Sequence, residues 1–144
     1  MIIRNSIKAI IVNCNRLLVV RMRGENGEEY YTLPGGKQEP DELMIDALKR
    51  EVKEETGYDV DPQKILFIRE GFNEDEHRIE FMFVCAPVGE PDKAALTYDA
   101  NQIGTKWLFI ENIIHEELHP IELREVIKRY YLGKHNDIYL GEME

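Results

Sequence analysis

The hydrophobic positions fall into short blocks separated by turn residues. Residues 7–12 and 17–22 read as strands joined by a turn at Asn13, Cys14 and Asn15, which predicts a hairpin. Residues 24–29 form a polar loop, and residues 30–33 a short strand stopped by Pro34, Gly35 and Gly36. From Asp41 to Glu55 the spacing becomes helical, with acids in the first turn and Gly57 placed to end it. Residues 65–68 and 79–85 are further strands, the second nearly continuous in apolar residues and therefore expected at the centre of a sheet. Residues 86–104 predict a long irregular connection carrying Pro87, Pro91 and Gly104, and connections of that length often carry function. Residues 107–110 are expected as the last core strand. Ile121, Leu123, Ile127 and Tyr130 then predict an amphipathic helix that ends near Gly133. No repeat, low-complexity tract or linker interrupts the pattern, so the expectation is one mixed α/β (α+β) domain over residues 1–144.

Composition narrows the partners. The 43% apolar content is enough for a core. Twenty-eight acids against 18 bases leave a net charge of −10, which argues against gripping a polymeric nucleic acid or an anionic membrane. A small phosphorylated ligand stays open, because bound metal ions can supply the missing positive charge. Cys14 and Cys85 lack metal-like spacing and read as residues of a reduced compartment. The apolar runs near the start are four residues long, too short for a secretory signal or a membrane span of about 20 residues. The expected location is the cytoplasm.

Within the predicted helix, Glu51, Glu54 and Glu55 project into one arc of about 100°, shared with Met44 and Ala47. Glu42, Asp46, Lys49 and Lys53 fall on the opposite, solvent-facing side. Three local rules are broken at once. Like charges stand at i, i+3 and i, i+4; two acids occupy the last turn, where the helix dipole favours cations; and inward carboxylates are costly unless paired. Arg50 relieves part of this by pairing with Glu54 but cannot satisfy three acids. Violations concentrated this tightly mark a site. A hard divalent cation, Mg²⁺ or Mn²⁺, suits carboxylate oxygens; the alternative is a solvated acidic face.

From Gly36 the chain reads glycine, five residues, Glu42, seven residues, then Arg50-Glu51-Val52-Lys53-Glu54-Glu55-Thr56-Gly57-Tyr58. This resembles the Nudix box, G-x5-E-x7-R-E-U-x-E-E-x-G-U with U a bulky aliphatic. All seven fixed residues are present, a chance match on the order of one in a million. Tyr58 departs from the pattern at the final aliphatic position. The box spans 23 residues, and the flanking order of strands is similar to the family's α/β/α sandwich with a mixed sheet.

The resemblance implies a metal-dependent pyrophosphohydrolase that cuts the diphosphate linkage of a nucleoside diphosphate joined to another moiety. Nucleotide sugars, ADP-ribose-like compounds and nucleoside triphosphates all remain open as substrates. It implies metal ligands at Glu51, Glu54 and Glu55 with the backbone carbonyl of Gly36, and Arg50 as the residue that holds the glutamates. Glu42 and Gly57 would be structural. It leaves the general base between Glu51 and Glu54. It also implies a small nucleotide partner and Mg²⁺ or Mn²⁺ as cofactor, and leaves a homodimer open.

Outside the box, Glu80 interrupts an apolar strand and reads either as a site residue or as a paired structural acid. In many relatives a glutamate before the tryptophan-bearing strand adds a ligand or base. Gln102 stands about there and cannot be a base, which leaves Asp99 as a substitute. Tyr31, with Tyr30, Phe72 and Trp107, is a candidate for stacking a nucleobase, against the alternative that strand aromatics are core. Two other classes compete. His115, Glu116 and His119 match the H-E-x-x-H pattern of zinc hydrolases, but Pro120 disfavours the required helix. A non-catalytic nucleotide sensor of the same fold predicts damaged catalytic acids, and none is missing.

Overall fold

The computed structural model describes residues 1–134 and 136–143. Strand β1 (Ile2–Asn13) turns at Cys14 and Asn15 into β2 (Arg16–Arg23), giving the expected hairpin. Both turn residues have positive φ, 52° and 60°. β3 (Glu29–Thr32) and β4 (Gly35–Lys37) follow, then α1 (Met44–Thr56), β5 (Asp59–Phe72), β6 (Glu76–Val88), β7 (Gln102–Phe109), α2 (Glu122–Tyr131) and β8 (Tyr139–Glu142).

The strands form one mixed sheet in the order β3-β2-β1-β6-β5-β8, with β4 added beside β1 and β7 beside β2. β6 is interior, as its continuous apolar run predicts, and lies parallel to β1 and antiparallel to β5. Period-two alternation along β1 divides the core. Ile7, Ala9 and Ile11 pack with Leu18 against Ala47, Leu48 and Val52 of α1. Ile10, between them on the other face, joins Val19, Phe67 and Met82 against Leu123 and Ile127 of α2. The sheet is thus covered by one helix on each side, with each fully buried Val, Leu or Ile worth about 1.5–3 kcal/mol.

Several expectations are corrected. The helix begins at Met44, not Asp41, and only Asp46 remains as an acid in its first turn. Asp41 has φ +62°, and Glu42 lies outside the helix, drawn back to Arg50. β5 runs from Asp59 although Pro62 lies within it, and a register shift follows directly, between Pro62 and Lys64. Over that stretch β8 does not reach β5, so Pro62 lies in an edge segment beside an irregularity, where proline is tolerated. β4 and β8 were not expected, and the strand that carries Trp107 runs from Gln102 to Phe109, beginning inside the stretch read as an irregular connection. Ile121 is 57% exposed and sits before α2 instead of in its apolar stripe. No described helix is long and apolar enough to cross a membrane.

Candidate active site at the end of helix α1

The site is built where the last turns of α1 meet β4 and the start of β7. Gly57 closes α1 in the left-handed conformation, φ +79°, with its N–H donating to the Lys53 carbonyl. A Cβ there would lie 2.8 Å from the Asp92 carbonyl oxygen, so the position requires glycine. The connection after β6 is stitched to this helix end. Asp92 N–H donates to the Gly57 carbonyl (2.8 Å) and Thr97 N–H to the Glu54 carbonyl (2.7 Å).

Arg50 organises the glutamates. Its Nε and Nη2 grip Glu42 at 2.8 and 2.9 Å, its Nη1 donates to Glu51 Oε1 at 3.0 Å, and Nη2 reaches the Lys37 carbonyl at 3.2 Å. Glu54, the expected partner, stands 4.0 Å away. The i, i+8 grip on Glu42 explains why that acid leaves the helix and why its carboxyl is held down to about 2, by Arg50 first and the Glu39 N–H second.

The three box glutamates occupy unlike environments. Glu55 is 6% exposed; its Oε1 accepts the Gly35 N–H at 2.7 Å and its Oε2 accepts from Gln102 Nε2. Burial first, with the neighbouring charge of Glu51, pushes its carboxyl up to about 7 against the pull of Lys8 and these two donors. Glu51 is likewise raised, by burial, with Arg50 opposing. Glu54 is the most exposed of the three side chains, at 42%. Gly36 lies under Glu51: a Cβ there would meet the Glu51 carboxylate at 2.6–2.8 Å. A side chain on Gly35 is excluded by the Ile7 carbonyl oxygen, 2.0 Å from where its Cβ would lie.

Among the described residues no three His, Cys, Asp or Glu side chains converge as a ready-made metal cage. Glu51 is turned to Arg50, and Glu55 to Gly35 and Gln102. The donor set still fits a hard divalent cation. It offers carboxylate oxygens beside a glycine with no side chain to block approach, and two of those carboxylates are raised because burial disfavours their charged form, which a bound cation would offset.

The other expected residues divide. Gln102 does reach the site, through Glu55. Asp99 is exposed, and its backbone N–H and C=O hold Gln102, at 2.9 and 3.0 Å. Tyr31 is corrected: it is buried in the α2-side core, with its backbone paired to Glu117 and His119 and its hydroxyl met by Lys106, so its ring is unavailable for stacking. Of the other aromatics, Trp107 meets Tyr58 edge-on at 6.1 Å, Phe72 stacks on His77 at 4.4 Å, and Tyr30 tilts against His119 at 5.3 Å. The histidine pattern is also corrected. His115 ends a 3₁₀ turn, Glu116 is extended, and Leu118 is fully buried in a bridge beside Tyr31, so the two histidines do not share a helix face.

Glu80 is 4% exposed and paired with Arg69, whose Nε donates to its Oε1 at 2.6 Å. It lines a cavity of about 250 Å³ with Lys8, Arg69 and Arg78. Sequence reasoning missed these three cations. The signal was available for Lys8, a charge set in the apolar run of β1, and for Arg69, which directly follows the apolar residues 65–68. Lys8 ties the cavity to the glutamates: its charge acts on Glu55, Glu51 and Glu80 alike.

The family model of the NUDIX domain matches residues 3–130. The chain belongs to the NUDIX family. Nudix hydrolases are pyrophosphatases that generally use divalent metals. The chain is similar to 8-oxo-dGDP phosphatase NUDT18 of Homo sapiens, 31% identical over 112 residues, or 74% of this chain and 33% of that protein. The Mus musculus protein of the same name is 31% identical over 63% of this chain and 29% of its own length. The chain therefore spans about a third of the length of these curated relatives. Among solved structures, a NUDIX hydrolase from Nitrosomonas europaea superposes with TM-score 0.77 at 23% identity, covering 94% of this chain and 93% of that one. A MutT protein from Methanosarcina mazei Go1 gives TM-score 0.72 at 29% identity, covering 92% and 95%. In this NUDIX chain the box is the segment 36–58, with Glu42, Arg50, Glu51 and Glu55 engaged as described and Glu54 exposed.

Proposed function

We propose that this NUDIX domain is a divalent-cation-dependent hydrolase of the diphosphate linkage in a nucleoside diphosphate derivative. The observation that supports it most is the pair of desolvated, raised carboxylates, Glu51 and Glu55, set beside the bare backbone of Gly35 and Gly36. Glu51, Glu54, Glu55 and the Gly36 carbonyl would hold Mg²⁺ or Mn²⁺. When bound, such an ion neutralises pyrophosphate charge and makes water more acidic.

The chain's own residues do the rest. Arg50, anchored by Glu42, fixes one oxygen of Glu51 and leaves the other free. The proton of the attacking water goes to Glu51 or Glu54 in this reading, and the variants below test each of them. Gln102 positions Glu55 and has no basic group of its own. Lys8 contributes positive charge between the glutamates and the adjacent cavity, where an anionic substrate must pass.

The test is a nucleotide panel with added Mg²⁺ or Mn²⁺, run on the wild type and on Glu51→Gln and Glu54→Gln. It holds 8-oxo-dGDP, the compound in the relatives' name, with ADP-ribose, UDP-sugars and ordinary di- and triphosphates. Metal-dependent cleavage lowered at least about 100-fold in both variants supports the reading. Undiminished turnover in both would refute the site, and binding without turnover on every compound would indicate a sensor.

A further inference from the structure

The outermost strand is fastened to both faces of the sheet. β8 ends the sheet beside β5 and pairs with it at three residues, with a register shift between Ile68 and Arg69. Two backbone bonds flank the pairing: Ile68 N–H donates to the Ile138 carbonyl at 2.8 Å, and Met143 N–H to the Glu70 carbonyl at 2.9 Å. Edge segments held by so few bonds open more readily than the core. What secures β8 is a pair of consecutive side chains, Arg69 and Glu70, which project to opposite faces of β5.

On the cavity face, Arg69 is 7% exposed and bridges the strand and the cavity wall. Its Nη1 donates to the Met143 carbonyl, while its Nε donates to Glu80 Oε1 at 2.6 Å. A guanidinium this deeply buried is costly unless its acceptors stay in place. Burial alone would push the Glu80 carboxyl up, but Lys8, Arg69 and Arg78 together hold it below its ordinary value, so it is ionised at neutral pH and keeps its grip on Arg69. Gly71 shows how closely these groups are packed. A Cβ there would lie 3.0 and 3.1 Å from Arg69 Nη2 and Nη1, and 3.2 Å from the Met143 carbonyl oxygen. On the opposite face, Glu70 Oε2 accepts from the Tyr139 hydroxyl, and its Oε1 meets His77 Nε2 at 2.7 Å. Tyr139 is 60% exposed, so this second clasp stands in solvent.

We infer that Arg69 is a positioning residue that couples β8 to the site: the docked strand fixes the Arg69–Glu80 pair in the cavity wall, and a strand that lifts away releases it. Lifting takes the Met143 carbonyl from Arg69 and opens the gap between β5 and β8 to water. The guanidinium then turns toward solvent, and the wall loses a fixed cation. Coupling of this kind is reciprocal, so weakening the Arg69–Glu80 pair must also loosen the strand. The inference concerns control of the proposed hydrolase site, and its bearing on turnover rests on that reading.

Amide hydrogen exchange on the full chain in EDTA tests the coupling without turnover. The reporters are the Ile68 and Met143 amides, which lose their partners when β8 lifts. The Ala9 amide, bonded to the Pro34 carbonyl, measures global opening. Tyr139→Phe removes only the solvent-side hydroxyl and should speed exchange at Ile68 and Met143 about tenfold or more. Glu80→Gln changes a residue two strands away from β8, yet should speed the same two amides at least about fivefold and leave Ala9 unchanged. Unchanged exchange at Ile68 and Met143 in either variant, or an equal rise at all three amides, would overturn the inference. Turnover gives the second readout, with the nucleotide of the panel that the wild type cleaves. Gly71→Ala wedges a methyl group between Arg69 and Met143 and should raise KM at least about threefold with kcat unchanged. Adding Tyr139→Phe should raise KM further, although Tyr139 lies on the face away from the cavity. An unchanged KM in the double variant would overturn the coupling and leave the hydrolase reading intact. A wild type that cleaves nothing would remove the hydrolase reading, and the exchange result would still decide the coupling of the strand.

Discussion

Glu55→Gln removes a buried charge while leaving the side chain's shape unchanged, and its effect on stability follows from the site. The folded carboxyl releases its proton at about 7, against an ordinary 4.5. Between those values the folded chain binds more protons than the unfolded one, so stability falls as pH rises through the window. At about 1.4 kcal/mol per pH unit, the wild type loses about 3 kcal/mol between pH 4.5 and 8. Glutamine has no charge to bury and escapes that loss. It offers one acceptor oxygen where the carboxylate used two, so either the Gly35 N–H or Gln102 loses its partner, at a cost of about 1 kcal/mol. In EDTA the two proteins should be nearly equal near pH 5, with the variant ahead by about 2 kcal/mol at pH 8. Urea denaturation at four or five pH values measures the difference directly, and other titrating groups cancel in the comparison. Added Mg²⁺ should then stabilise the wild type far more than the variant. Parallel stability curves from pH 5 to 8 would show that burial does not govern this carboxyl, and the argument for a cation there would go with it.

Other perturbations separate the parts of the fold. Gly57→Ala forces a side chain into a left-handed position against the Asp92 carbonyl and should cost about 1–3 kcal/mol in urea unfolding. Leu48→Ala empties a fully buried position between α1 and β1 and should cost about 2–5 kcal/mol by the same assay. Arg50→Lys keeps the charge but cannot grip Glu42 through two nitrogens, so kcat should fall about tenfold or more while circular dichroism stays unchanged.

Much of this architecture is visible in side-chain pattern because side chains dictate it. The hairpin, the interior place of β6 and the helix ended by Gly57 follow from apolar periodicity and from one glycine that only a left-handed turn explains. β4 escaped notice because Gly35 and Gly36 carry no side chains and their pairing with β1 is made by backbone alone. β8 escaped for a related reason: it touches β5 at only three residues. The box glutamates were legible from broken local rules, and Glu80 from its intrusion into an apolar strand. Its partner was not, because Arg69 stands opposite it through strand register, which sequence spacing does not reveal. Tyr31 misled for the converse reason. An aromatic in a strand looks the same in sequence whether its ring faces a ligand or, as here, the core.

The connection between β6 and β7 has a consequence for variation. It holds the end of α1 through the amides of Asp92 and Thr97, and among the described residues the side chains of residues 93–98 make no hydrogen bond of their own. The hydrogen bonds that hold the helix come from backbone amides and do not depend on the identity of the exposed side chains. The exposed residues of this stretch, Lys93, Ala94, Thr97 and Tyr98, are thus free to change size and charge without loosening the glutamates. A protein built this way can exchange the rim of its site while its chemistry stays fixed, and the loop is where to graft side chains when a different substrate is wanted.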